Sequence, residues 1–185
     1  MSEFLTGKPK EARAAARARL LELKEPVSVT ALTEGYATCY QWNKGDVLAL
    51  LGELGFPEAT PFLKRILQDK SSHLLQMSAA NALGRIRDPG AVPTLLEVLA
   101  PSFWRHPHGW NPPNMGFGTS RQEALRMAEM DEARVRCTII NALFDIGTPE
   151  ALQAVTAATK DADPSVQSAA KAVLALAGTT KSSQP

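Results

Sequence analysis

From Lys44 onward the apolar positions fall into groups, and the groups themselves recur. Val47, Leu50, Leu51 and Leu54 stand three and four residues apart, the spacing of one face of an α-helix. The same spacing returns in Leu75, Ala79, Ala82, Leu83 and Ile86. It returns again in Val135, Ile139, Ala142, Leu143 and Ile146, and in Val166, Ala170, Val173, Leu174 and Ala177. Residues 51–59 read LGELGFPEA, residues 83–91 LGRIRDPGA, residues 143–151 LFDIGTPEA, and residues 174–178 give the partial copy LALAG. Pro57, Pro89 and Pro149 each suit the first turn of a following helix, where a missing N–H costs nothing. Asp88 and Thr148 precede two of them as natural N-caps. Gly55 and Gly147 stand where the preceding helix must stop.

The copies lie 32, 60 and 31 residues apart. The long middle interval contains no further copy, so one insertion of about 28 residues accounts for it. Each copy reads as helix, turn, helix. None is large enough to hide its own apolar face, so neighbours must stack. The pattern predicts an all-α solenoid of about four hairpins forming one domain over 1–185. A basic, alanine-rich helix over 9–24 caps it, with Leu20, Leu21 and Leu23 set to pack on repeat one. The hairpins pair 27–41 with 44–55, 57–69 with 72–87, 89–100 with 131–147, and 149–160 with 164–177. The repeats thus occupy 27–178, and 179–185 is a small, polar, flexible tail. Gly35 and the β-branched run before it lower the helix propensity of the first hairpin.

The run from Ala79 to Leu96, AANALGRIRDPGAVPTLL, resembles the HEAT repeat, and most of all the compact bacterial form named after phycobilisome lyases. The resemblance covers roughly 44–178. It implies a solenoid whose second helices line a concave face, and a protein that binds other proteins.

The insertion separates the two helices of repeat three. Residues 101–118 hold Phe103, Trp104, Trp110 and Phe117, four of the chain's 11 aromatics. Disordered linkers are poor in aromatics, so this loop packs on something. Two readings stay open: the aromatics cover an end of the core, or they contact a partner, as bulky aromatics and arginine do at interface centres. Ser120-Arg121-Gln122-Glu123 is a capping-box pattern. It predicts a short helix to about Met130, closing an insertion of 101–130, with a break at Asp131.

Composition narrows the function. Net charge is +1, from 20 basic and 19 acidic residues. That balance argues against a dedicated nucleic-acid binder. Cys39 and Cys137 stand in no paired spacing, which favours a reducing compartment and a cytoplasmic address. No stretch approaches the roughly 18 apolar residues of a membrane span. His106 and His108 form an H-x-H pair with no third or fourth ligand nearby, so no metal is expected. Cys137 beside Arg136 is a faint candidate for a lowered thiol pKa, without a neighbouring histidine to make it a nucleophile. Phosphate-loop, dinucleotide and serine-nucleophile motifs are absent from the sequence.

The expected function is therefore a non-enzymatic scaffold or adaptor, without cofactor, that binds another protein. Its contact surface combines the 101–118 loop with polar positions beside the core stripes: Trp104, Arg105, Trp110, Phe117, Arg85, Asn81, Asn141 and Asp145. Asn81 and Asn141 occupy equivalent positions and also suit a buried hydrogen-bond ladder between repeats. Two alternatives are a lyase-like or chaperone-like protein handling a tetrapyrrole or similar ligand, and a nucleic-acid-binding solenoid. A deep pocket between the long loop and the concave face would favour the first. A continuous Arg/Lys stripe would favour the second. The ligand count gives a first test: EDTA should leave the melting temperature unchanged, and a fall restored by zinc would establish a metal site.

Overall fold

The structure, a computed structural model, describes residues 10–105 and 120–181. Nine α-helices and no strand are found among the described residues. They are α1 (Lys10–Leu23), α2 (Val27–Gly35), α3 (Lys44–Leu54), α4 (Thr60–Gln68), α5 (His73–Ile86), α6 (Val92–Leu99), α7 (Arg121–Ile146), α8 (Pro149–Ala158) and α9 (Pro164–Lys181). Short 3-10 turns at Gln41–Asn43, Pro57–Ala59 and Pro89–Ala91 lead into α3, α4 and α6.

Local chemistry sets these boundaries. Gly55 (φ 75°) and Gly147 (φ 70°) end α3 and α7 in the left-handed region. Arg87 holds the equivalent position after α5 at φ 58°, a conformation that a Cβ makes costly. The Asp88 carboxylate accepts from the Gly90 N–H at 2.9 Å, and the Thr148 hydroxyl accepts from the Ala151 N–H at 3.2 Å. Ser120 and Glu123 form the complete capping box at the start of α7.

The second helices α3, α5, α7 and α9 stand side by side in one layer, and α4, α6 and α8 form the other. Helix α1 packs against α3. The chain is an all-α solenoid, and its core lies between the layers. Val47, Leu50, Leu51, Leu83, Val135, Ile139, Leu143 and Val166 are fully buried there. Close approach of the inner helices depends on two glycines. A Cβ on Gly52 would lie 2.7 Å from the Ala82 Cα, and one on Gly84 would lie 2.8 Å from the Ala142 Cα. Phe144, at the same register in repeat three, is half-buried against the core instead.

Four expectations change. Helix α2 stops at Gly35 rather than 41, and a turn fills the interval to the 3-10 segment. Helix α7 runs unbroken through Asp131. No Gly or Pro interrupts those 26 residues, and a lone aspartate does not end a helix whose i,i+3 neighbour Arg134 lies 3.6 Å from its carboxylate. Helix α9 continues to Lys181, into the expected tail. Leu23 is 44% exposed rather than packed on repeat one, while Leu20 is buried.

Leu83→Ala and Leu143→Ala should each cost about 2–5 kcal/mol in denaturant titration. Gly84→Leu should also destabilise, by at least the about 1–3 kcal/mol of overpacking, although leucine is the better helix former. Stability at or above wild type in the Gly84 variant would contradict the close approach.

Candidate partner-binding face

The inner helices turn one polar ridge to solvent, and equivalent residues of successive repeats stand beside one another on it. Glu53, Arg85 and Asp145 share one register near the helix C-termini. Arg85 Nη1 donates to Glu53 Oε1 at 2.9 Å, and Arg17 of α1 pairs with the same carboxylate. Asp145 lies alongside α5: a Cβ on Gly84 would be 3.4 Å from its Oδ2. Leu176 occupies this register in α9 and is 63% exposed. One turn earlier stand Asn81 and Asn141, both exposed. They are surface residues, so the expected buried ladder is not formed by them.

A ladder does exist at another register. Gln76, Arg136 and Gln167 each stand seven residues before the core leucine of their repeat: Leu83, Leu143 and Leu174. Gln76 Nε2 donates to the Leu67 carbonyl at 2.8 Å, Arg136 Nε to the Leu99 carbonyl at 2.8 Å, and Gln167 Nε2 to the Asp161 carbonyl at 2.9 Å. Each joins an inner helix to the end of its own outer helix or the turn after it. The polar residue recurring inside an apolar stripe was the signal that could have revealed this.

In repeat three the rung is an arginine. Its guanidinium also forks onto Asp161, with Nη1 to Oδ1 at 3.1 Å and Nη2 to Oδ2 at 2.5 Å. Burial pushes the Asp161 carboxyl up, but hydrogen bonds from Arg136 and the Asp163 N–H, with the guanidinium charge, hold it below the ordinary range. With the guanidinium committed to Asp161 and Leu99, the neighbouring Cys137 thiol is not activated. Burial raises its pKa, Asp163 adds to the rise, and the lowering by Arg136 does not compensate. The candidate thiolate is therefore corrected to a protonated thiol.

The start of the insertion is equally committed. Trp104 is 5% exposed and donates its indole N–H to the Val98 carbonyl at 2.8 Å. The Ala100 N–H serves Leu96 and Glu97, and Arg136 serves Leu99, so all four terminal carbonyls of α6 are satisfied. Phe103 meets the Trp104 ring edge-on at 5.0 Å and lies under the Lys70 ammonium at 4.2 Å. Trp104 is thus core cover and helix cap, and it leaves the list of partner contacts. Arg105 is exposed. Trp110 and Phe117, with His106 and His108, lie outside the described residues.

The expected single centre also divides. The Trp104 ring lies 5.7 Å from that of His73, the first residue of α5. Arg85 follows twelve residues later, roughly 18 Å along the helix axis at 1.5 Å per residue. Trp104 and Arg105 therefore mark one end of the ridge, and Arg85 and Asp145 the other. Between the first half of α7 and the neighbouring inner helices opens a cleft of about 660 Å³, with Met77, Met130, Ala133 and Cys137 among its lining residues. Among the described residues no three His, Cys, Asp or Glu side chains are placed to hold a metal. No described helix is long and apolar enough to cross a membrane.

A family model described as HEAT repeats matches residues 29–105. The match supports a HEAT-type assignment for the repeats and runs a few residues into the insertion. No curated protein matches the chain. Among solved structures, human deoxyhypusine hydroxylase in complex with glycerol is similar at a TM-score of 0.48 and 16% identity, over 94% of this chain and 92% of that one.

As a core residue, Trp104→Ala should cost about 3–5 kcal/mol. The Asp161 pKa is lower folded than unfolded, so its stabilisation is complete above the ordinary carboxylate range. It fades as pH falls through that range and is gone below the depressed folded value. Asp161→Asn should therefore melt below wild type at neutral pH and converge with it in strong acid. A pH-independent gap would exclude the linkage.

Proposed function

We propose that the protein is a non-catalytic interaction scaffold that holds a partner protein along the inner-helix ridge. The supporting observation is the contrast across these helices. One face is sealed into the core, while the opposite face repeats polar side chains in register that the fold leaves exposed. Arg85, Asn81, Asn141 and Asp145 supply the contacts, and Arg105 marks the far end. The proposal extends to Trp110 and Phe117 of the 101–118 loop, which lie outside the described residues. The charges alternate from Glu53 to Arg85 to Asp145, which favours a protein of matched pattern over a polyanion. The roughly 18 Å between the two ends suits a partner helix of about three turns.

The second reading, a lyase-like or chaperone-like handler of a tetrapyrrole or similar ligand, draws support from the cleft and from the likeness of 79–96 to the bacterial phycobilisome-lyase repeat. The cleft's lining mixes apolar Met77, Met130 and Ala133 with charged Arg126, Glu129 and Arg134.

The test is capture of partners from the source cell, followed by affinity measurement on charge variants. Arg85→Glu and Asp145→Lys should each weaken binding at least tenfold while shifting stability by under about 1 kcal/mol, as exposed pairs do. Trp110→Ala should weaken binding by about 2 kcal/mol. Unchanged affinity in all three folded variants would remove the ridge and loop from the function.

A further inference from the structure

Helix α7 has 26 residues, whereas its neighbour α5 has 14. The solenoid layer needs only the later part, so the stretch from Arg121 to about Asp131 projects beyond the repeat. Its exposed stripe is short and ordered: Glu123, Met127, Met130 and Arg134, spaced four, three and four residues apart. Met127 is 61% exposed, Met130 63%, and the Arg134 side chain 67%. This spacing is the seam of a two-helix coiled coil. The cleft of about 660 Å³ opens along the same face, with Met77 and Ala133 beside Met130.

The identity of the occupant follows from the charges on the stripe. A parallel copy of the same helix would set Glu123 against Glu123 and Arg134 against Arg134. An antiparallel copy sets Glu123 against Arg134 and Met127 against Met130, because the numbers in each pair are symmetric about the point between Ala128 and Glu129. The sequence is thus self-complementary in one orientation only, as an isologous twofold contact requires. Among the described residues Arg134 pairs with Asp131 at 3.6 Å, and its side chain is 67% exposed, within reach of a facing carboxylate.

We propose that two copies of this chain associate through the projecting half of α7, antiparallel, about a twofold axis between Ala128 and Glu129. The four layers run Glu123–Arg134, Met127–Met130, Met130–Met127 and Arg134–Glu123, and the apolar pair closes over the cleft. Four layers make a short seam, so the dimer exchanges rapidly with monomer. The seam continues on the same face of α7 into Asn141 and Asp145, so it adjoins the ridge that carries the partner proposal, but its test reads self-association and not partner affinity.

Sedimentation velocity of the full chain over a wide concentration range tests it. Wild type should move from monomer toward dimer as concentration rises, and a monomer throughout would overturn the proposal. Arg134→Glu alone and Glu123→Lys alone should each weaken the dimer at least tenfold, because each places like charges in two layers. Mixing the two variants should restore it, since the heterodimer recovers both opposite-charge layers. Met130→Lys, checked by its melting temperature, gives a second disruption that leaves the Ser120–Glu123 cap intact. Dimerisation that survives both Arg134→Glu and Met130→Lys, or variants that dimerise no better mixed than alone, would overturn this geometry.

Discussion

A helix that ends inside a protein leaves its last carbonyl oxygens without partners, and this solenoid is organised around supplying them. Helices α4 and α6 end against the layer of inner helices, where Leu67 and Leu99 are buried from water. An orphaned carbonyl there costs as much as a lost hydrogen bond. The chain meets this in hairpins two and three with a polar side chain projected from the inner helix, Gln76 and Arg136, and in hairpin four Gln167 holds the turn after the outer helix at the Asp161 carbonyl. Each lies in an otherwise apolar stripe, and each fixes how far its outer helix can slide along the inner one. Packing of Leu83 and Leu143 supplies most of the burial. The polar rungs set the register in which that burial occurs.

Repeat three shows what the rung must do when the hairpin turn is replaced by an insertion. The Gln76 amide serves one carbonyl, that of Leu67. The guanidinium of Arg136 serves the Leu99 carbonyl and also holds Asp161 of the next turn, so one side chain joins repeats three and four. Trp104 completes the cap on α6. The insertion therefore begins from a rigid base. The same commitments empty this corner of chemistry: the arginine is paired, the indole is buried, and the Cys137 thiol is held protonated. The ridge on the far side of the inner helices, where the charges alternate between repeats, carries the recognition role proposed above.

Much of the fold could be read from spacing because a stacked repeat states its register several times. Pro57, Pro89 and Pro149, the caps Asp88 and Thr148, and the stops Gly55 and Gly147 all agreed with the apolar stripes, and the structure keeps them. The failures came where one residue had to be judged alone. Asp131 looked like a boundary, yet a single aspartate lacks the steric power of glycine or proline. Trp104 and Arg105 are neighbours in sequence, but one turns inward to a carbonyl and the other outward. The candidate site divided because equivalent register positions say which residues share a row, not how far the row lies from a loop. Asn81 and Asn141 were read as the ladder because they match in identity. The true rungs match in position while changing identity from Gln to Arg to Gln.

The rungs also differ in how much chain they span. Gln76 reaches back 9 residues and Gln167 reaches back 6, whereas Arg136 must find a carbonyl 37 residues behind it. Closing a loop costs entropy that grows slowly with length, and that cost comes before any contact rewards it. The hairpins before and after the insertion close over a few residues. The third must close a much longer loop before its contact forms. The insertion thus places one long-range rung in an otherwise local series, and Arg136 is the side chain that makes it.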